Sequence, residues 1–124
     1  MNYIAVAVGG SLGALMRYAA SQYMTALPAY WSTALVNVVG SLLMGILWVL
    51  VERHIANESM RLLLGVGLLG SLTTFSTFSL DIILLINQSQ WVNAILYILV
   101  SLILSLGVMI GAIILTKQLL QVIH

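Results

Sequence analysis

The chain has 124 residues, 62% of them hydrophobic and 6% charged, with a formal net charge of +1. A soluble domain carries about 25% charged residues, so this composition excludes a globule coated by water and implies an integral membrane protein. So small a charge supplies no basic patch for nucleic acid, and with no cysteine neither disulfides nor thiolate metal sites are possible.

A membrane-spanning helix needs about 20 mostly apolar residues, and charges and turn residues divide the chain into four such runs. The first extends from Tyr3 to Met24, with Gly9-x-x-x-Gly13 inside it and Arg17 toward its far end. No small-residue cleavage site closes it, so it is expected to be a mature helix and not a removed signal. A short connection contains Pro28, the single proline. The second run, Tyr30 to Val51, has no charge and carries Asn37 and Ser41-x-x-x-Gly45. At ~1.5 Å per residue Asn37 lies roughly 10 Å deep, where its amide serves either an interhelical bond or a pore. The loop Glu52–Met60, "ERHIANESM", separates this run from the third, Arg61 to Ile86.

The third run holds the stretch "LGSLTTFSTFSLD" at Leu69–Asp81, in which six of thirteen residues are Ser or Thr. A single hydroxyl in a membrane helix bonds back to a carbonyl of its own helix. Thr73, Thr74, Ser76, Thr77 and Ser79 cannot all point one way, so several faces become polar. Gly65, Gly67 and Gly70 precede them and weaken the helix. A break in mid-membrane is predicted here, and the backbone groups it frees must be buried in protein, meet water or bind an ion. Phe75 and Phe78, spaced i, i+3, share a face. The polar turn Asn87–Gln90, "NQSQ", leads to the fourth run, Trp91 to Thr116, ending at Lys117. Asn93, Tyr97, Ser101 and Ser105 recur there every fourth residue and form one stripe of donors, either a polar seam or a path. Gly107-x-x-x-Gly111 adds a third small-residue pattern of the kind that lets helices pack closely. The fold class expected is all-α: one domain, residues 1–124, of four transmembrane helices with a break in the third.

Orientation follows Lys and Arg in short loops. Arg53, Arg61 and Lys117 fall on one side and Arg17 on the other, a bias weak enough to permit insertion both ways. Arg17 and Asp81 sit near ends that share a membrane face, where they form either an ion pair or two charges that snorkel separately. No Lys, Arg, Asp, Glu or His lies near the middle of any run. A neutral, donor-rich lining suits an anion that must enter and leave quickly, and the edges of Phe rings are their positive part.

The motifs "GGSLGALMRY" at Gly9–Tyr18, "STALVNVVG" at Ser32–Gly40 and "GLLGSLTTFSTFSLD" at Gly67–Asp81 resemble the Fluc (CrcB) family of fluoride channels over essentially the whole chain. The resemblance implies an antiparallel, dual-topology homodimer in the cytoplasmic membrane of a bacterium. Such a dimer exports fluoride passively through two pores and is not an enzyme. By position it implies that Phe75 and Phe78 are the pore rings and Asn37 the pore asparagine. Ser76 and Thr77 match the hydroxyl track beside the rings, and Tyr97, Ser101 and Ser105 the pore face of the fourth helix. It also implies a central structural Na⁺ held by the backbone carbonyls of Gly70 and Thr73. Three positions depart from the family's pattern: Ser71 replaces a glycine, Asp81 replaces a glutamate, and Met109 stands where a threonine can occur. The nearest rival is a small multidrug-type exporter, which relies on a glutamate in its first helix; the first run here has no acid. A non-transporting membrane subunit is the other alternative, and it predicts no ion flux.

Overall fold

The computed structural model describes residues 2–123. It contains four helical spans long and apolar enough to cross a membrane, and the described residues include no strand. The first two spans are α1, Asn2–Tyr23, and α2, Ala29–Glu52. The third is assembled from pieces: the turn α3 at Glu58–Met60, a π-helical segment at Arg61–Leu69, the turn α4 at Gly70–Leu72, and α5 at Phe75–Asn87. The fourth is α6, Trp91–Ile123.

The predicted break is present, and its position is Thr73–Thr74. Both residues are extended, with ψ of 149° and 127°. Thr74 caps the helix that follows, its hydroxyl accepting from the Thr77 amide at 3.2 Å, so α5 restarts with one of its free donors satisfied.

Close packing by α1 explains why the third span is irregular before the break as well. A methyl on Gly67 would lie 2.8 Å from the Val6 carbonyl and 2.9 Å from the Gly9 Cα, so the two backbones nearly touch. Gly9 faces the Leu63 carbonyl and Gly13 the Leu68 carbonyl just as closely. This is the approach that small residues permit. The π segment ends with the Gly70 amide donating to Gly65, the i→i−5 pattern of a widened turn.

α2 packs along α6 and also touches the third span, so it stands at the centre of the bundle. One apolar cluster joins Ala34, Phe78, Leu85, Ala94 and Tyr97. A second joins Val36, Leu47, Leu69 and Leu72 on the other side of α2.

α6 is longer than the sequence predicts, running past Thr116 to Ile123. Lys117 marks an exit from apolar surroundings without ending the helix, because Lys, Gln and Leu are good helix formers. Its Nζ lies 2.7 Å from Glu52 Oε2 at the end of α2, which ties the two helix ends together. The polar turn after α5 is formed as expected, with Ser89 at φ 59°.

Candidate functional site

The break is held from outside by one side chain. Asn37 on α2 donates from Nδ2 to the Thr74 carbonyl at 3.1 Å and accepts the Thr74 amide on Oδ1 at 2.8 Å. An amide side chain has the donor and acceptor needed to replace a peptide partner in this way. The interhelical bond that its depth allows is therefore made, and made to backbone.

Which carbonyls the break frees follows from where the amides go. In a continuous helix the Thr74 amide would donate to Gly70 and the Thr77 amide to Thr73. The first is taken by Asn37 and the second by the Thr74 hydroxyl. Gly70 and Thr73 are thereby deprived of their helical donors. The neighbouring carbonyl of Ser71 is treated differently, accepting from Arg17 Nε at 3.2 Å.

Arg17 and Asp81, left open by the sequence between an ion pair and two separate charges, bond to other groups and not to each other. Arg17 reaches the break, while Asp81 Oδ2 accepts from the Tyr97 hydroxyl at 3.0 Å. Each charge has found a polar partner near its own helix, so neither needs the other. Ser71, the departure nearest the break, is absorbed as well: its hydroxyl donates to the Gly10 carbonyl at 2.5 Å, and the added side chain fills the seam against α1 without closing the break. Asp81 reaches Tyr97 despite having one methylene less than glutamate.

Seven of the residues singled out from the sequence line a single groove of about 440 Å³: Asn37, Gly70, Thr73, Phe75, Phe78, Ser101 and Ser105. The two rings have centroids 5.5 Å apart and are tilted by 42°. Phe78 is buried, whereas Phe75 is 74% exposed on this chain. Met109, where the family can carry a hydroxyl, also lines the groove. Ser101 is the unusual member. Ser11, Thr73 and Ser79 bond back to carbonyls four residues earlier at 2.8–2.9 Å, but the buried Ser101 hydroxyl has no partner. A buried polar atom without a partner costs about 1–3 kcal/mol, so the Ser101 hydroxyl is a donor left available at the groove.

Three candidates lie off this groove. Tyr97 is fully buried behind Phe78, their ring centroids 5.2 Å apart. Ser76 is exposed and shares a hydrogen bond with Thr74 at 3.2 Å. Thr77 lines a separate cavity of about 290 Å³ together with Arg17, Tyr18, Ser32, Thr33 and Thr74. Thr74 stands in the sequence only as one of the clustered hydroxyls, with no role of its own. It caps α5, binds Asn37 and borders both cavities; its signal was a Thr immediately before a helical stretch, the ordinary N-cap pattern.

Residues 4–113 match the family described as "CrcB-like protein, Camphor Resistance (CrcB)". The chain is 42% identical over 110 residues to the "Fluoride-specific ion channel FluC" of Shewanella sp. strain W3-18-1, covering 85% of this chain and 87% of that one. It is 46% identical over 98 residues to the protein of the same name from Shewanella loihica, with 75% and 77% covered. The namesake from Shewanella woodyi is 45% identical over 104 residues, with 82% and 84% covered.

Proposed function

The chain belongs to the CrcB family, and from that membership we propose that it is a fluoride channel that lets the ion leave a bacterial cell passively across the cytoplasmic membrane. The observation that carries this reading is the orphaned Ser101 hydroxyl, aligned with Ser105 in a groove whose other wall is two Phe rings. Fluoride is small and strongly hydrated, so a path through a membrane must replace water by donors. Neutral hydroxyls and ring edges do this without a fixed cation that would hold the ion.

The exposure of Phe75 and Gly70 supports assembly with a second copy, since on one chain the groove is open along that side. An antiparallel homodimer brings two such grooves together and so gives two pores. It also agrees with the weak asymmetry of Lys and Arg. The carbonyls of Gly70 and Thr73, whose helical donors are diverted, suit a hard cation such as Na⁺; when bound, its charge would offset part of the cost to an anion of entering a medium of low dielectric.

Fluoride efflux from proteoliposomes of the purified full chain tests the function. The expected result is rapid discharge of a fluoride gradient once potassium and valinomycin relieve the charge imbalance. A chain that releases no fluoride would be a packing subunit instead, and one that moves organic cations would be an exporter.

A further inference from the structure

α2 and α6 carry matching stripes. On α2, Thr33, Asn37, Ser41 and Gly45 recur every fourth residue, as Tyr97, Ser101, Ser105 and Met109 do on α6, so each set shares one face of its helix. Two contacts fix how the stripes meet. At one end the Thr33 hydroxyl faces the Tyr97 hydroxyl. At the other a methyl on Gly45 would lie 2.7 Å from the Met109 carbonyl. The offset between partners is the same at both ends. Asn37 therefore stands level with Ser101, and Ser41 with Ser105, in successive rungs about 6 Å apart. All four residues of these middle rungs line the groove. The side chains of the α2 stripe are not equally free. Thr33 faces Tyr97, Asn37 is bonded to both backbone groups of Thr74, and Gly45 has no side chain. Ser41 is half-buried at the groove, and among the described residues no hydrogen bond engages its hydroxyl. Ser11, Thr73 and Ser79 all bond back to their own helices.

We infer that Ser41 coordinates the passing anion from α2, as the partner across the groove of Ser105 on α6. Past this rung the wall offers no hydroxyl: Met44 and Met109 line it, and at Gly45 the two helices nearly touch. The Ser41–Ser105 rung is thus the last polar position on the α2–α6 wall, where an anion has lost water and has least to replace it. With Ser105 alone it would be held from one side. Ser41 supplies a second donor on the other. A serine hydroxyl turns its hydrogen about the C–O bond without moving the backbone, so it can follow the ion as it passes. A hydrogen bond to a charged group is about twice as strong as one between neutral groups. The pattern Ser41-x-x-x-Gly45 therefore divides its labour: Gly45 packs the helices, and Ser41 serves the groove.

This inference rests on the groove being the ion path, and the experiment separates the two. Fluoride efflux from proteoliposomes and melting temperature in detergent are measured for the unmodified chain, Ser41→Ala, Ser41→Thr and Ser41→Val. The unmodified chain tests conduction itself; no flux there would remove the reading on which the inference rests. Given flux, Ser41→Ala loses one donor to the ion and is expected to slow efflux about fivefold, with the melting temperature unchanged. Threonine and valine have nearly the same shape and differ in the hydroxyl, so they separate the donor from its bulk. Ser41→Thr is expected to conduct about fivefold faster than Ser41→Val. Ser41→Ala at the unmodified rate, or equal rates in Ser41→Thr and Ser41→Val, would overturn the inference and leave fluoride conduction standing. A fall in flux that comes with a lower melting temperature in Ser41→Ala would overturn it too, by making Ser41 a packing residue.

Discussion

The two sides of the break treat polar atoms in opposite ways. Toward α1 both polar oxygens of Ser71 are met by this chain: its hydroxyl donates to the Gly10 carbonyl, and its carbonyl accepts from Arg17 Nε. Toward α6 the break diverts the helical donors of Gly70 and Thr73, Phe75 is exposed, and across the groove the Ser101 hydroxyl of α6 has no partner. On the first side Gly9, Gly13 and Gly67 bring α1 and the segment before the break into near backbone contact. Unpaired groups on a membrane protein are costly, and here they concentrate on one side of the break. The chain's own packing satisfies the closed side and leaves the open one available.

The largest test of that contrast removes a ring from the open side. Phe75→Ile or Phe78→Ile keeps most of the apolar volume and loses the ring edge. Each is expected to slow fluoride efflux about a hundredfold, or about 2.7 kcal/mol of barrier at 1.36 kcal/mol per decade, with elution on size exclusion unchanged from the unmodified chain. Efflux at the unmodified rate in both would make the rings packing alone.

Asn37→Ala strikes the hinge between the two sides. It leaves the Thr74 amide and carbonyl unpaired, each at about 1–3 kcal/mol. A lower melting temperature and lost flux together are the expected result; a chain that melts normally would show that the break holds its shape without Asn37.

Exchange of Na⁺ for a large organic cation addresses the freed carbonyls, which no mutation deletes. Dimer stability or activity is expected to fall, while an imposed Na⁺ gradient is expected to drive no fluoride uptake. Full activity after exhaustive Na⁺ removal would sink the structural cation, and Na⁺-driven accumulation would make the protein a cotransporter.

Much of this organisation was legible in the sequence, for reasons that are local. Four apolar runs announce four spans because each must cross the lipid by itself. Glycines followed by a dense set of hydroxyls announce a break because they weaken a helix and supply caps. What could not be read is non-local. The π segment lies where Gly9 and Gly13 pack against a backbone more than fifty residues away. Asn37 and Thr74 meet across 37 positions, and nothing near either names the other. The sequence left Arg17 and Asp81 open between an ion pair and two separate charges, and gave no sign that Arg17 reaches the Ser71 carbonyl and Asp81 the Tyr97 hydroxyl. Lys117 was taken as a helix end because a charge leaves the lipid there, although the helix itself has no reason to stop.

The most direct test of the contrast between the two sides uses two serines, each cut to alanine. Ser71→Ala loses a hydrogen bond on the closed side, and Ser101→Ala loses a hydroxyl that is bonded to nothing on the open side. Melting temperature and fluoride efflux are measured on both, with Leu99→Ala on the exposed face of α6 as control. Ser71→Ala is expected to cost about 0.5–1.5 kcal/mol of stability with efflux nearly unchanged, and Ser101→Ala to keep its stability while slowing efflux several-fold relative to Leu99→Ala. A Ser101→Ala chain that conducts as fast as the control would contradict the account, because the unpaired hydroxyl would then have no ion to serve.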